Sequence, residues 1–154
     1  EIALHPQALS IAKQIADGLG VVGVMAVELF RARDGEILVN ELAMRPHNSG
    51  HFSIDASVTS QFEQHLRAVL DLPLGVTSGT SKFAVMINLL GVDSENDFVQ
   101  YYPRAMERFP HVKFHMYEKA PRAGRKMGHL TLQGNDLDQL LADGRACRDL
   151  LYNR

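Results

Sequence analysis

The chain has 154 residues, of which 45% are hydrophobic and 22% are charged, a composition typical of a globular protein and not of a disordered one. The formal net charge of −2 excludes the broad positive field of a general nucleic-acid-binding protein. No apolar run is long enough for a membrane span, and a single cysteine, Cys147, excludes an internal disulfide. We therefore expect a cytoplasmic protein with neither a nucleic-acid nor a membrane partner.

The first part of the chain predicts a helix followed by a β-hairpin. Apolar residues recur at helical spacing over residues 6–20, with a proline at the start and glycines at the end. The β-branched, apolar run at 21–30 and the short run at 37–39 are typical of strands. Between them, Asp34-Gly35 is typical of a two-residue hairpin turn.

A loop and a second helix follow the hairpin. Residues 45–53 contain Pro, Asn, Ser, Gly and two His residues without periodicity, which indicates a loop. Asp55 or Ser57 is predicted to cap the next helix, whose apolar stripe runs from Val58 to Val69. The stretch at 77–81 is predicted to be a linker.

The second half of the chain alternates strands and helices. The predicted elements are, in order, a strand at 83–89, a helix at 98–109, strands at 112–116 and 128–133, and a last helix capped by Asn135 or Asp136. This mixed order predicts an α+β fold. One domain is predicted to end at residue 76, and a small second domain to cover residues 77–154.

Two acidic residues are predicted to face each other across the hairpin. A two-residue turn sets a register that pairs Phe30 with Val39 and therefore Glu28 with Glu41. In this register Asn40 lies on the opposite face of the hairpin. Like charges directly opposite each other are destabilising, and Mg²⁺ prefers a site with one or two carboxylates, so a bound Mg²⁺ would explain the pair.

A different register of the hairpin remains open. A longer turn or a β-bulge would shift the pairing by one residue and separate the two carboxylates. A second alternative, independent of the register, is that the two acids are solvated residues of a strand edge, paired with Arg31 or Arg45.

Polar residues that can bind anions or substrate are concentrated in the loop after the hairpin. Arg45 can hold a phosphate with its planar guanidinium group, and His47, Asn48 and His51 can bind substrate or orient other ligands. A zinc site at the two histidines would require a helix between them, which the proline and glycine of this loop disfavour.

A second candidate site is the basic segment at 119–126, which holds four cations within eight residues. Pro121 and Gly124 predict a bent loop that can direct several charges at one anion. Composition alone favours the alternative, a basic turn whose charges face water.

Several motifs resemble one family of ligases. These are Gly-Val-Met-Ala-Val-Glu-Leu-Phe at 23–30, the run from Asn40 to His51, Thr-Ser-Gln-Phe-Glu-Gln-His-Leu-Arg-Ala at 59–68, and Arg-Ala-Gly-Arg-Lys-Met-Gly-His at 122–129. Together they resemble the 5-(carboxyamino)imidazole ribonucleotide synthases of the ATP-grasp superfamily. The chain departs from the family at Met44, where we expect Pro in many relatives.

The resemblance implies the second half of an ATP-grasp domain over residues 1–76, followed by a small C-terminal α/β domain over residues 77–154. It implies that Glu28 and Glu41 bind Mg²⁺ and that Asn40 and Glu41 contact the nucleotide. The implied cofactors are therefore ATP and Mg²⁺.

The resemblance also assigns roles in the reaction. Arg45, His47 and Asn48 would lie near the reacting phosphate, and Lys119, Arg125 and Lys126 would bind the 5′-phosphate of the substrate. The implied reaction is the ATP-dependent carboxylation of 5-aminoimidazole ribonucleotide by bicarbonate. Carboxyphosphate would form first, and its carboxyl group or released CO₂ would be captured by the exocyclic amine.

We expect residues 1–154 to be a fragment that is inactive alone, and the full-length enzyme to be a homodimer. Two alternatives to this interpretation remain open. The chain could come from another ATP-grasp carboxylase or phosphoribosyl ligase, which would share the acidic hairpin. It could instead be a non-catalytic dimerisation module, since the helix from Val58 to Leu70 is apolar on one face.

Overall fold

The computed structural model describes residues 6–92 and 98–153. These residues divide into two compact units. The first unit consists of the described residues up to Ile54 together with Thr59–Thr77, and the second consists of Asp55–Val58 together with the chain from Ser78 onward. The segment Asp55–Val58 is therefore grouped with the second unit, although it precedes residue 77, where the second domain was predicted to begin.

The first unit contains two helices of more than two turns and a β-hairpin. Its elements are α1 (Pro6–Leu19), β1 (Ala26–Arg31), β2 (Ile37–Ala43), a 3₁₀ helix (Asn48–Gly50), the beginning of α2 (Ser53–Ala56), and α3 (Gln61–Val69). The predicted first helix is confirmed, and the predicted hairpin is present, although its first strand begins at Ala26 and not at residue 21. Helix α3 begins later than predicted because its cap is Ser60, whose side chain accepts the N–H of Glu63 at 3.2 Å.

The hairpin turn differs from the predicted two-residue turn. The N–H of Ala32 donates to Glu36 O at 2.8 Å, and the N–H of Gly35 donates to Ala32 O at 3.0 Å. The loop therefore has three residues, and its last residue, Gly35, has a φ of 93° that glycine adopts without strain. This longer loop shifts the register by one residue, so that Phe30 pairs with Leu38 and not with Val39.

A β-bulge further along the hairpin cancels this shift. Leu29 pairs with Val39, but the preceding residue of β1, Glu28, pairs with Glu41, so that Asn40 is the extra residue of the bulge. The prediction that Glu28 and Glu41 face each other is confirmed. The prediction was reached with the wrong turn, and it holds because the loop and the bulge each displace the register by one residue in opposite senses.

The second unit is a three-stranded antiparallel sheet with helices. Its elements are the end of α2, β3 (Phe83–Leu90), a 3₁₀ helix (Phe98–Tyr101), α4 (Tyr102–Arg108), β4 (Lys113–Met116), β5 (Lys126–Gly134) and α5 (Leu137–Leu151). The strand order is β3-β5-β4, so the last strand in sequence lies in the centre of the sheet. Every strand and helix predicted for this half is present.

The core of the second unit lies between the sheet and its helices. Leu89, Leu130 and Leu132 of the sheet and Leu151 of α5 are fully buried there. Gly144 of α5 allows the close approach, because a Cβ at this position would lie 2.7 Å from Ile87 Cδ1. The helix is capped by Asp136, one of the two predicted residues, whose side chain accepts the N–H of Gln139 at 3.1 Å.

None of the helices in residues 6–92 and 98–153 combines the length and the apolar composition that crossing a bilayer would require.

Candidate functional site

The paired carboxylates lie together with an amide side chain on the hairpin of the first unit. Glu28 and Glu41 are directly opposite each other, and the Glu28 side chain is 43% exposed. Asn40 Nδ2 lies 3.4 Å from Glu28 Oε2, so Asn40 shares a face with Glu28. The prediction that Asn40 points to the other face was wrong, because the bulge adds a residue and turns this side chain over.

His47 reaches the same carboxylate from the loop that follows the hairpin. Its Nε2 lies 3.1 Å from Glu28 Oε1, and its side chain is only 16% exposed. The N–H of Ser49 points at His47 Nδ1 at 3.4 Å, and Ser49 Oγ lies 2.9 Å from the same nitrogen. Because a backbone N–H can only donate, Nδ1 is the acceptor and Nε2 carries the hydrogen that faces Glu28.

The other two loop residues predicted to act in catalysis flank His47 in the chain. Arg45 is exposed, and its Nη1 donates to Pro46 O at 3.0 Å. Asn48 is half-buried and opens the 3₁₀ helix Asn48–Gly50. Their predicted position at a reacting phosphate stays a prediction.

The donor set on the hairpin fits Mg²⁺. Glu28 and Glu41 offer hard carboxylate oxygens, and Asn40 adds an amide beside them. Within the part of the chain that the structure describes, no three His, Cys, Asp or Glu residues are grouped so that they could hold a metal by themselves. Such a site suits an ion that takes one or two carboxylates from the protein and its remaining ligands from phosphate and water.

The basic segment of the second unit forms the bent loop that the sequence predicts. Glu118 has a φ of 49° and Gly124 a φ of 72°, so the chain turns sharply at both positions. The N–H of Gly124 donates to Gly91 O at 2.7 Å, and the N–H of Gly91 donates to Arg125 O at 2.7 Å. The loop is therefore fastened to the end of β3 by backbone hydrogen bonds.

The cations of this loop are held to different degrees. Lys119 Nζ lies 5.1 Å from the centre of the Tyr117 ring, a cation–π contact. Arg125 Nη1 donates to Ala120 O at 3.1 Å. Lys126 is exposed at the beginning of β5. Their convergence on one phosphate is not tested by these contacts and stays a prediction.

A chain of polar side chains in the second unit was not predicted. Asp55 Oδ2 lies 2.7 Å from His115 Nε2, and the His115 ring stacks on His129 with 4.5 Å between ring centres. Tyr117 Oη lies 2.7 Å from His129 Nδ1. These contacts connect Asp55 to the tyrosine ring beneath Lys119. The sequence carries no periodic signal for them, since His115 and His129 meet only through the pairing of β4 with β5.

Sequence reasoning also missed the polar residues of α3. Gln61, Gln64 and His65 belong to the motif at 59–68, which resembles the family, but the sequence predicted no role for these three side chains. In the structure each of them hydrogen-bonds the backbone of another segment of the first unit. Gln and His are common on exposed helix faces, and only the tertiary structure separates these residues from solvated ones.

Comparison with known protein families identifies both parts of the chain. Residues 1–62 match the ATP-grasp domain, and residues 84–143 match the phosphoribosylaminoimidazole carboxylase C-terminal domain. The N5-carboxyaminoimidazole ribonucleotide synthase of Mycobacterium tuberculosis (strain ATCC 25618 / H37Rv) is 53% identical over 139 residues, which cover 89% of this chain and 32% of that protein. The synthase of Bacillus subtilis (strain 168) is 44% identical over 144 residues, covering 93% of this chain and 36% of that protein.

Solved structures agree with these relatives. The N5-carboxyaminoimidazole ribonucleotide synthetase from Thermotoga maritima superposes with a TM-score of 0.77 at 38% identity, over 97% of this chain and 42% of that one. The Aspergillus clavatus N5-carboxyaminoimidazole synthase, in complex with ADP and 5-aminoimidazole ribonucleotide, gives a TM-score of 0.73 at 28% identity, over 99% of this chain and 42% of that one.

The chain spans about a third of the length of the curated relatives that it matches, 32% in the case of the mycobacterial protein. Within that third, the acidic hairpin lies in the ATP-grasp match and the basic loop lies in the C-terminal-domain match. Over most of its length the chain is therefore similar to N5-carboxyaminoimidazole ribonucleotide synthases, with a match to the ATP-grasp domain followed by a match to the phosphoribosylaminoimidazole carboxylase C-terminal domain.

Proposed function

We propose that the chain is part of an enzyme that uses ATP and bicarbonate to carboxylate 5-aminoimidazole ribonucleotide on its exocyclic amine, with release of ADP and phosphate. The observation that carries the proposal is the pairing of Glu28 with Glu41, with Asn40 and His47 against Glu28. Relatives named for this synthesis and the relative bound to ADP and aminoimidazole ribonucleotide support the substrates.

In the proposed mechanism the hairpin binds the metal–nucleotide complex. Glu28 and Glu41 hold Mg²⁺, and Asn40 and Glu41 contact the nucleotide. When bound, Mg²⁺ supplies positive charge that stabilises the phosphoryl group during transfer. The carboxylates are suited to this task because Glu28 and Glu41 are paired directly opposite each other and therefore share one face of the hairpin.

The loop after the hairpin acts on the reacting groups. An oxygen of bicarbonate forms a bond to the γ-phosphorus while the bond to the β,γ-bridging oxygen breaks, which leaves ADP and carboxyphosphate. Arg45 offers a planar cation to the transferred phosphoryl oxygens, and Asn48 offers a neutral amide. His47 presents Nε2–H towards the same region, since Ser49 binds its other ring nitrogen.

The second unit holds the acceptor. Lys119, Arg125 and Lys126 bind the 5′-phosphate of the ribonucleotide, which positions the exocyclic amine. Its nitrogen then forms a bond to the carboxyl carbon, the carbon–oxygen bond to phosphate breaks, and the amine loses a proton. The support for this assignment is the bent, fastened loop that carries the three cations.

Domain organisation and surroundings complete the proposal. We place the functional domains at residues 1–76 and 77–154, and the full-length enzyme in the cytoplasm as a homodimer. A single cysteine that is fully buried suits a reducing compartment.

The proposal is tested with Glu41→Gln in a full-length synthase that contains residues 1–154. The neutral amide removes one metal ligand and relieves the repulsion from Glu28, so the fold should persist while turnover falls at least about 100-fold. The matched control is Glu36→Gln, which removes the same charge from an exposed residue next to the turn of the same hairpin. Turnover of Glu41→Gln equal to that of the control at limiting Mg²⁺ would reject the metal role.

A further inference from the structure

Gln61, the first residue of α3, binds the loop that carries His47 through every polar atom of its amide. The N–H of His47 donates to Gln61 Oε1 at 2.9 Å, and Gln61 Nε2 donates to His47 O at 2.7 Å. The second hydrogen of Nε2 is directed at His51 Nδ1, 2.8 Å away. Because two of the partners are backbone groups of known polarity, the orientation of the amide is determined and both of its hydrogens are used.

The backbone of Gln61 is joined to the same loop. Its N–H donates to Ser53 Oγ at 2.9 Å, and Ser53 Oγ donates to Gly50 O at 2.6 Å. Gly50 itself leaves room for the clamp, since a Cβ there would overlap Oε1 and Cδ of Gln61. The loop from His47 to Ser53 is therefore fixed at three points by one residue.

The clamp acts on the backbone of the residue whose side chain meets the carboxylate pair. The N–H and the carbonyl of His47 both bind Gln61, and the carbonyl also accepts the N–H of Gly50 at 2.9 Å. On its other side, His47 Nε2 lies 3.1 Å from Glu28 Oε1. With the backbone held on one side and Nδ1 bound by Ser49 on the other, the imidazole has little freedom to leave Glu28. A displacement of about 1 Å in a reacting constellation can cost about 100-fold in rate.

We propose that Gln61 is a positioning residue of the phosphoryl-transfer site, which acts by holding the backbone of His47 so that its imidazole stays against Glu28. The proposal rests on the function proposed above for His47. The Gln61 amide binds His47 and His51 of the loop, and its effect on the reaction is transmitted through that loop.

Helix α3 supplies a matched control for this proposal. Gln64, one turn further along, forms the same two-point clamp on a different backbone, since its Nε2 donates to Gly75 O at 2.7 Å and its Oε1 accepts the N–H of Gly75 at 2.9 Å. Gln61→Glu and Gln64→Glu therefore remove equivalent donors from one helix. Only the first change affects the loop of His47.

The experiment measures kcat, the KM for each substrate and the midpoint of thermal unfolding for both variants in the full-length synthase. We expect Gln61→Glu to lower kcat about 10- to 100-fold relative to Gln64→Glu, at similar thermal stability and with a similar KM for the ribonucleotide. Equal kcat values for the two variants, or a loss that follows the fraction of unfolded protein, would overturn the proposal.

Two further variants keep the test decisive. If Gln61→Glu does not fold, Gly50→Ala is used, since its Cβ would overlap the Gln61 amide and displace it without changing any polar group. A lower kcat in Gly50→Ala then supports the proposal, and an unchanged kcat overturns it. His47→Ala distinguishes the function proposed for His47 from the positioning role proposed for Gln61. Full activity of His47→Ala would reject the function of His47. An inactive His47→Ala together with a normal kcat in Gln61→Glu would reject only the positioning role of Gln61.

Discussion

The two units differ in what holds them together. The second unit buries a continuous apolar core, in which Leu89, Leu130 and Leu132 are inaccessible to solvent. In the described part of the first unit, the one buried hydrophobic residue is Ala43, and large apolar side chains such as Leu66 are exposed. Burial of apolar surface is the main source of stability in a small domain, so within these residues the second unit gains more stabilisation from apolar burial than the first.

The first unit is organised mainly by polar contacts between side chains and backbone. The amide groups of Gln61 and Gln64 each clamp one backbone segment, and His65 Nδ1 accepts the N–H of Val24 at 3.0 Å. Such bonds fix the position of groups at a site but contribute only about 0.5–1.5 kcal/mol each to stability. Within these 154 residues, polar contacts therefore fix backbone segments of the first unit, and apolar burial stabilises the second.

The largest expected effect comes from the core of the second unit. Leu130 is 0% exposed, and Leu130→Ala should lower the free energy of unfolding by about 2–5 kcal/mol through lost burial and a cavity. Leu66, 57% exposed on α3, is the control, and Leu66→Ala should cost less than about 1 kcal/mol. Urea denaturation followed by circular dichroism measures both, and equal losses would contradict the stated difference between the units.

A buried thiol in the same core should make stability depend on pH. Burial raises the pKa of Cys147 to about 11, and the nearby Asp143 carboxylate adds to the effect. Above the ordinary pKa of 9.0 the unfolded chain releases this proton while the folded chain keeps it. Stability is therefore lost as the pH rises from 9 towards 11, by up to about 2–3 kcal/mol.

Cys147→Ala isolates this contribution from the titration of tyrosines and lysines. Unfolding free energies of the variant and the parent protein, measured between pH 8 and pH 11, should fall less steeply in the variant. Parallel curves would show that the thiol does not titrate in this range with a raised pKa.

Enzyme kinetics can test whether the basic loop of the second unit binds the ribonucleotide and not ATP. In the full-length synthase, Lys119→Ala should raise the KM for the ribonucleotide about 10- to 150-fold, the loss of one charge-assisted bond worth about 1.5–3 kcal/mol, with a smaller effect on the KM for ATP. Arg125→Ala should act in the same direction, and Lys113→Ala, an exposed cation of β4, should change neither constant. A raised ATP constant with an unchanged ribonucleotide constant would move this loop to the nucleotide site.

The smallest expected effects concern two glycines of the first unit that have open space around them. Gly35 has a φ of 93°, so Gly35→Ala should cost about 1–2 kcal/mol through backbone strain alone. Gly18 lies in α1, and a Cβ there would meet no other segment of the described chain within 4 Å, so Gly18→Ala should stabilise the helix by about 0.5–1 kcal/mol. A lower midpoint of thermal unfolding for Gly35→Ala, together with a higher midpoint for Gly18→Ala, would confirm that the hairpin turn needs a residue with positive φ.

Local sequence patterns predicted most elements and one decisive contact. The helix at the start of the chain, both hairpin strands and the strands and helices from β3 onward follow from periodicity and turn residues. The pairing of Glu28 with Glu41 was also predicted, although with the wrong turn. The face of the hairpin on which the Asn40 side chain lies was predicted wrongly, because the β-bulge at Asn40 was not predicted. A bulge depends on the packing of the whole hairpin, and no residue pattern in this sequence indicates it.

The sequence by itself determined most of the elements and the resemblance to the family, because these depend on residue type and local spacing. It also predicted the residues that we propose bind a metal, a nucleotide and a phosphate. Only the tertiary structure decided that Asn40 and His47 meet Glu28, that β5 lies between β3 and β4, and that Gln61 clamps the loop. These contacts join residues that lie far apart in the chain. Their pairing is set by how the elements pack, which single-residue preferences do not encode.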